Sequence, residues 1–387
     1  MIVVCPLPIA FANRQYIKTN EWKGYTVMRR MGSALLIFLL AWTSVPISRA
    51  ATTAELMESV EPRVAHLKLK SESLRALVER QVIVRGLSTN NSSEMAGVGV
   101  VIADATPDAF IESYRSLETF QQNPAIIASG RLGATPSLAD FDGLTIDDKD
   151  IYSLAKAGVR SSDVKLSEQE ITKINNVAAG SPRLSPQAKA KLATEYKKIL
   201  LERARAYLTN GASSLGTYAD KDEPVAAGDA FASLAKEQAA SAGHCSHLYP
   251  YLENYPQGDA SPFESFVYWA KQKFGDLKPV INMVHVLIHR DGNRVFIASK
   301  QIYSSHYTDA ALSVAELIPF TDSHGLSRTI VVYTIRLQVD MLGGAMGFMK
   351  KRMAQPRMLG ALKSSLSGLR VTMEAQGGAQ GQTKASL

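Results

Sequence analysis

From Ala54 to Leu77 apolar residues recur at helical spacing, at Leu56, Val60, Val64, Leu67, Leu74 and Leu77, before the β-rich run RQVIVRGL at 80–87. This predicts a helix and then a strand. The polar turn STNNSSE leads into MAGVGVVIAD, a second strand, and then into ATPDAFIESYRSLETF, where Thr106 ahead of Pro107 and Asp108 marks a helix start. Gly, Pro and Asp crowd residues 130–150, as expected of a linker or surface loop. A mostly helical block follows, with helices expected over Glu168–Val177, Pro186–Asn210, Gly228–Ala240 and Pro262–Phe274.

After Lys278 the period changes to two. VINMVHVLIH, RDGN and RVFIASKQIYSSHY read as a hairpin whose turn residues are Asp291 and Gly292. That register sets His289 opposite Arg294, Leu287 opposite Phe296 and His285 opposite Ala298. Val284, Val286, Ile288, Val295 and Ile297 then form an all-apolar face expected to meet the last helix near Leu362, Leu366 and Leu369, while His285, His289 and Arg294 face solvent or the helical block. AALSVAELIPF and RTIVVYTIRLQVDML are two further strands. In the second, Val331, Tyr333, Ile335, Leu337 and Val339 share the core face. The last helix carries a stripe of Met346, Met349, Met353, Leu359, Leu362, Leu366, Leu369 and Met373 opposite Lys350, Lys351, Arg352, Arg357, Lys363 and Arg370. GGAQGQTKASL at 377–387 reads as a disordered tail.

Met28 to Ala51 has the three parts of a secretory signal: Arg29 and Arg30, the apolar run Ala34–Trp42, and the small residues Ser48 and Ala50 before a cut near Ala50. The expected location is periplasmic or secreted, with a membrane anchor formed by an uncleaved signal as the alternative. The apolar run is about half of the ~20 residues a spanning helix needs. Residues 1–27 are expected to be an over-extended start. With residues 1–50 removed, Arg14, Lys18, Lys23, Arg29, Arg30 and Arg49 are lost against Glu21 alone, and the net charge falls from +7 to +2. The remaining charges are interspersed in sign, which argues against a nucleic-acid partner. Cys5 is lost as well, which leaves Cys245 without an intramolecular disulfide partner, so the mature chain depends on its packed core.

Candidate chemistry is sparse. His285 and His289 on a strand share a face but lie ~13 Å apart, too far for one ion. His244, Cys245 and His247 in GHCSH are candidate metal ligands that lack a fourth partner nearby. Asp140, Asp142, Asp147, Asp148 and Asp150 do not fit a calcium loop, because Gly143 follows Asp142 directly, and they read as a solvated loop. GVGVV at 97–101 lacks the third glycine of a dinucleotide fingerprint, and the chain has no G-x-S-x-G elbow.

The order of elements over about 80–130 and 278–374 resembles the helix-grip fold of the START-like lipid-transfer and polyketide-cyclase superfamily. ATPDAFIESYRSLETF matches its helix after the first strand, and GAMGFMKKRMAQPRMLGALKSSLSGLRVTME matches its gripping helix. The resemblance implies an α+β fold, an antiparallel sheet around a long C-terminal helix. The N-terminal part would span 51–139, a helical insertion or second lobe 140–277, and the C-terminal sheet and helix 278–376. It also implies an apolar cavity that binds a lipid-like molecule without catalysis, cofactor or fixed catalytic residues. A basic amphipathic last helix adds peripheral membrane contact as a candidate interaction. Two other classes stand beside this one: an envelope structural or protein-interaction protein, and a metal-dependent hydrolase centred on His244, Cys245 and His247.

Overall fold

Thr52 caps the first helix, its side chain accepting from the Glu55 N–H while the Glu55 carboxylate accepts from the Thr52 N–H. The computed structural model describes residues 52–384 except 117–122, 124, 180–183, 243–244, 246, 274–276 and 343–346; the signal and the proposed start lie outside the described residues. Helices α1 (Thr53–Val64) and α2 (Ser71–Val78) precede strands β1 (Ile83–Gly86) and β2 (Glu94–Ala103) and helix α3 (Pro107–Arg115). After β3 (Ile126–Arg131) come α4 (Asp148–Ala155), α5 (Glu168–Ala178), α6 (Pro186–Asn210), the short pair β4 (Thr217–Tyr218) and β5 (Val225–Ala226), α7 (Ala227–Ala242) and α8 (Leu248–Asn254). The chain closes with β6 (Phe263–Gln272), β7 (Val280–Asp291), β8 (Arg294–Ser304), β9 (Thr308–Thr321), β10 (Ser327–Val339) and α9 (Gly347–Lys384).

Eight of these strands form one antiparallel sheet in the order β1-β2-β10-β9-β8-β7-β6-β3. The first long strand thus pairs with the last, and the strands between run as a meander. The fold is α+β, with the long C-terminal helix packed on the sheet. Alternation along each strand divides the core. One face carries Val284, Val286, Ile288, Val295, Ile297, Val331, Tyr333, Ile335, Leu337 and Val339 against α3 and α9. The other face packs Met283, Leu287, Phe296, Leu312 and Val314 against the helices of the 140–262 region. Farther along that second face, α1 and α2 cover Ile318, Phe320, Ile330 and Val332.

The segment Pro262–Phe274, expected to be helical, is strand β6 over most of its length and pairs with both β7 and β3. Its Phe266-Val267-Tyr268-Trp269 run favours a pleated surface buried on both sides. Helical insertion is therefore the wrong description for the end of 140–277. Residues 130–150 are likewise no linker: Ser137 and Asp140 cap a short turn that places Phe141, fully buried, on the Trp269 ring.

The hairpin turn uses Gly292 and Asn293, with Gly292 at φ 58, so Asp291 pairs with Arg294. His289 consequently faces Phe296, Leu287 faces Ala298 and His285 faces Lys300, each displaced by two from the expected partner. An even displacement keeps every side chain on its face, so the five apolar residues do lie toward Leu362, Leu366 and Leu369. His285 and His289 lie toward the helical region, buried in it. In α9 the stripe is shorter than expected: Met358, Leu362, Leu366, Leu369 and Met373 are buried, whereas Phe348, Met349 and Met353 are exposed. The helix itself runs to Lys384, through most of the segment expected to be a tail.

Candidate functional site

The odd-numbered residues of β7 carry the polar chemistry of the face beneath the helical region. At the hairpin end, His289 is 5% exposed and sits 3.0 Å through Nδ1 from the Pro262 carbonyl oxygen. A carbonyl only accepts, so Nδ1 carries a proton, and Nε2 is the nitrogen left with the lone pair in the neutral imidazole. That Nε2 is buried and has no hydrogen-bond partner among the described residues. The Phe263 and His247 rings pack on the imidazole with centroids 4.8 and 6.2 Å away. Cys245, just ahead of α8, is buried, and its thiol is pushed up by that burial and eased by the backbone N–H groups of Leu248 and His247. Cys245, His289 and Asp291 bring one ligand atom each to within 4.8 Å of one another.

This trio differs from the one the sequence suggested. His244 lies outside the described residues, and His247 is exposed and turned to the His289 ring. Only Cys245 is shared. His289 and Asp291 could be noticed in sequence as same-face residues of β7, but nothing local in the chain links them to residue 245. A cleft of about 450 Å³ begins beside them, lined by His247, Tyr251, Asn254, Asp259, Pro262 and Phe263.

Deeper on the same face, His285 is fully buried between two hydroxyls, with Tyr207 Oη 2.7 Å from Nδ1 and Ser265 Oγ 2.7 Å from Nε2. Burial first, and then the nearby Lys300 charge, pushes the imidazole down to about 3. A neutral imidazole needs one donor and one acceptor, and two hydroxyls satisfy it in either tautomer. Enclosed and held so far below the ordinary imidazole range, it is poorly matched to general-base work near neutral pH. Lys300, on the neighbouring strand, is buried among rings, 3.7 Å from the Phe231 centroid and 5.1 Å from that of Tyr207. Its ammonium donates to the Leu252 carbonyl at 3.4 Å, and burial pushes it down to about 7.

Other charges on this face are paired. Lys165, 2% exposed, reaches Asp309 at 2.7 Å, Asp340 at 3.2 Å and Asp220 at 3.6 Å. Lys271, fully buried, meets Asp147 at 2.8 Å, Asp150 at 3.6 Å and the Thr145 carbonyl at 2.8 Å. The acidic group expected to be a solvated loop is thus partly an anchor: Asp140 caps a turn, Asp147 and Asp150 hold Lys271, and Asp148 holds Lys189.

On the opposite face the sheet meets α9 closely because two positions have no side chain. A Cβ on Gly97 would stand 2.8 Å from Leu359, and one on Gly99 would stand 2.3 Å from Leu366. Those glycines serve helix packing, not a phosphate. Toward the middle of the sheet, Ser299 on β8 and Ser313 on β9 are direct cross-strand partners on this apolar side. Both hydroxyls are buried without a hydrogen-bond partner among the described residues, although their neighbours Val286, Ile297, Ala311, Ala315 and Ile335 are all apolar. No helix among the described residues is long and apolar enough to cross a membrane.

No family model matches the chain, and neither does any curated protein.

Proposed function

We propose that this is an exported, non-catalytic protein that binds an apolar or lipid-like small molecule between the sheet and the helices α3 and α9. The observation that carries this reading is the Ser299–Ser313 pair, two unsatisfied hydroxyls facing each other inside an apolar layer. A buried hydroxyl without a partner costs roughly 1–3 kcal/mol, and the polar end of a mostly hydrocarbon ligand would satisfy it. The strand order supports the helix-grip resemblance, since the first long strand joins the last and the chain ends in a helix laid across β1 and β2. Exposed Phe348, Met349 and Met353 beside Lys350, Arg352 and Arg357 support collection or delivery of the ligand at an anionic lipid surface. Organic extraction of protein purified from its own host, followed by mass spectrometry, tests the proposal. One apolar species approaching one per chain is expected; an extract indistinguishable from the solvent blank contradicts it.

A further inference from the structure

On the other face of the sheet, we propose a binding site for one zinc-class divalent cation formed by Cys245 Sγ, His289 Nε2 and an Asp291 carboxylate oxygen. Thiolate, imidazole and carboxylate together are the donor set of a borderline-soft ion, which makes zinc a better fit than calcium or magnesium. A tetrahedral zinc with bonds of about 2.0–2.3 Å holds its ligands about 3.3–3.8 Å apart. One ligand atom from each of Cys245, His289 and Asp291 already lies within 4.8 Å of the other two, close to that spacing.

The histidine is the independent observation. Its Nδ1 proton is committed to the Pro262 carbonyl, the arrangement that fixes the tautomer and aim of metal-bound imidazoles, and its Nε2 is buried with no partner among the described residues. An imidazole nitrogen left this way in the core is otherwise a net cost. The thiol comes from the segment leading into α8, whereas the other two donors come from the end of β7, so a bound ion would tie the helical region to the hairpin tip. Such a cross-link suits a mature chain with no disulfide. Three protein ligands leave a fourth position, and the cleft bordered by His247, Pro262 and Phe263 begins at the next residues. Water occupies that position in a site of this ligand count.

The test uses the full mature chain and the metal alone. Elemental analysis after zinc dialysis should give close to one zinc per chain. Cobalt substitution should produce a thiolate-to-cobalt charge-transfer band with the strong visible absorption of a tetrahedral ion. Asp291→Asn, an exposed change at the hairpin end that leaves the core intact, should weaken zinc at least tenfold, and Cys245→Ser should abolish the charge-transfer band. Far-ultraviolet circular dichroism of each variant establishes that it is folded. A folded wild-type chain that takes up no zinc overturns the proposal, as does a cobalt complex lacking the thiolate band or zinc affinity unchanged in His289→Gln and Asp291→Asn.

Discussion

Strand β7 sends His285 and His289 to one side of the sheet and Val284, Val286 and Ile288 to the other, and the same division continues across its neighbours. Beneath the helical region lie Lys165 with three aspartates, Lys271 with two, Lys300 with none among the described residues, and the His285 hydroxyl pair. Beneath α3 and α9 the layer is aliphatic and aromatic apart from a few residues such as Ser299 and Ser313. The helical region is therefore positioned by directional, titratable groups, and the C-terminal helix by shape and apolar area. Buried charges specify one docking geometry but add little net stability, whereas apolar burial adds stability with little directional preference. A face of the second kind can exchange a helix contact for a ligand contact at small cost.

The largest effect should come from placing charge on the wrong face. Val286→Asp buries an unpaired carboxylate under α3 and α9 and should prevent folding, seen as loss of soluble, sigmoidally unfolding protein. A solvent-facing His285, one of the two placements the sequence allows, would tolerate His285→Asp. With the imidazole fully buried between Tyr207 and Ser265, that variant should also be strongly destabilised in urea melts. Tolerance of His285→Asp would contradict the enclosed placement of His285 between Tyr207 and Ser265.

Next is Lys165→Met, which leaves Asp309, Asp340 and Asp220 close together around an apolar side chain and should cost about 3–5 kcal/mol by urea denaturation at neutral pH. On the apolar face, Leu366→Ala should cost about 2–5 kcal/mol, with a deficit that does not change between pH 5 and 9.

Lys300 sharpens the comparison through pH. The unfolded ammonium titrates near 10.5 and the folded one near 7, so the unfolded chain binds more protons between those values. Stability from this group therefore rises with pH across that window, and the penalty is fully present below pH 7. Lys300→Met should remove most of this slope and make the protein more stable by a few kcal/mol at pH 6. An unchanged slope would mean that the ammonium is not desolvated. The smallest effect belongs to Gly99→Ala, whose new methyl meets the Leu366 side chain and should cost about 1–3 kcal/mol in thermal unfolding.

Where the chain carried its own punctuation, the fold was readable in advance. Helix α6 occupies Pro186–Asn210 as expected, because Ser185 caps it, Pro186 begins it and Gly211, at φ 65, ends it. The four strands after Lys278 were clear from alternation, and so was the face that meets α9, although the hairpin turn was placed one residue early on each strand. Strand β6 was missed because FESFVYWAKQ puts polar residues on both of its faces, Ser265 and Lys271 on one and Glu264 and Gln272 on the other, and so has no clean period of two. Met349 and Met353 fit the helical stripe but are 60% and 65% exposed, so apolar spacing alone did not tell the covered part of the helix from the uncovered part. Of the site residues, Cys245 could be singled out from its histidine neighbours, whereas its approach to His289 and Asp291 is a product of tertiary docking. The Ser299–Ser313 pair needed the β8–β9 register before it meant anything.

The most direct measurement is titration of the purified protein with a fluorescent fatty-acid analogue, comparing wild type with Ser299→Leu/Ser313→Leu. The account predicts saturable one-to-one binding by wild type and at least tenfold weaker binding by the folded double variant, whose leucines remove both hydroxyls and add bulk to the apolar layer. Absence of saturable binding to wild type, or equal affinity in the two proteins, would contradict it.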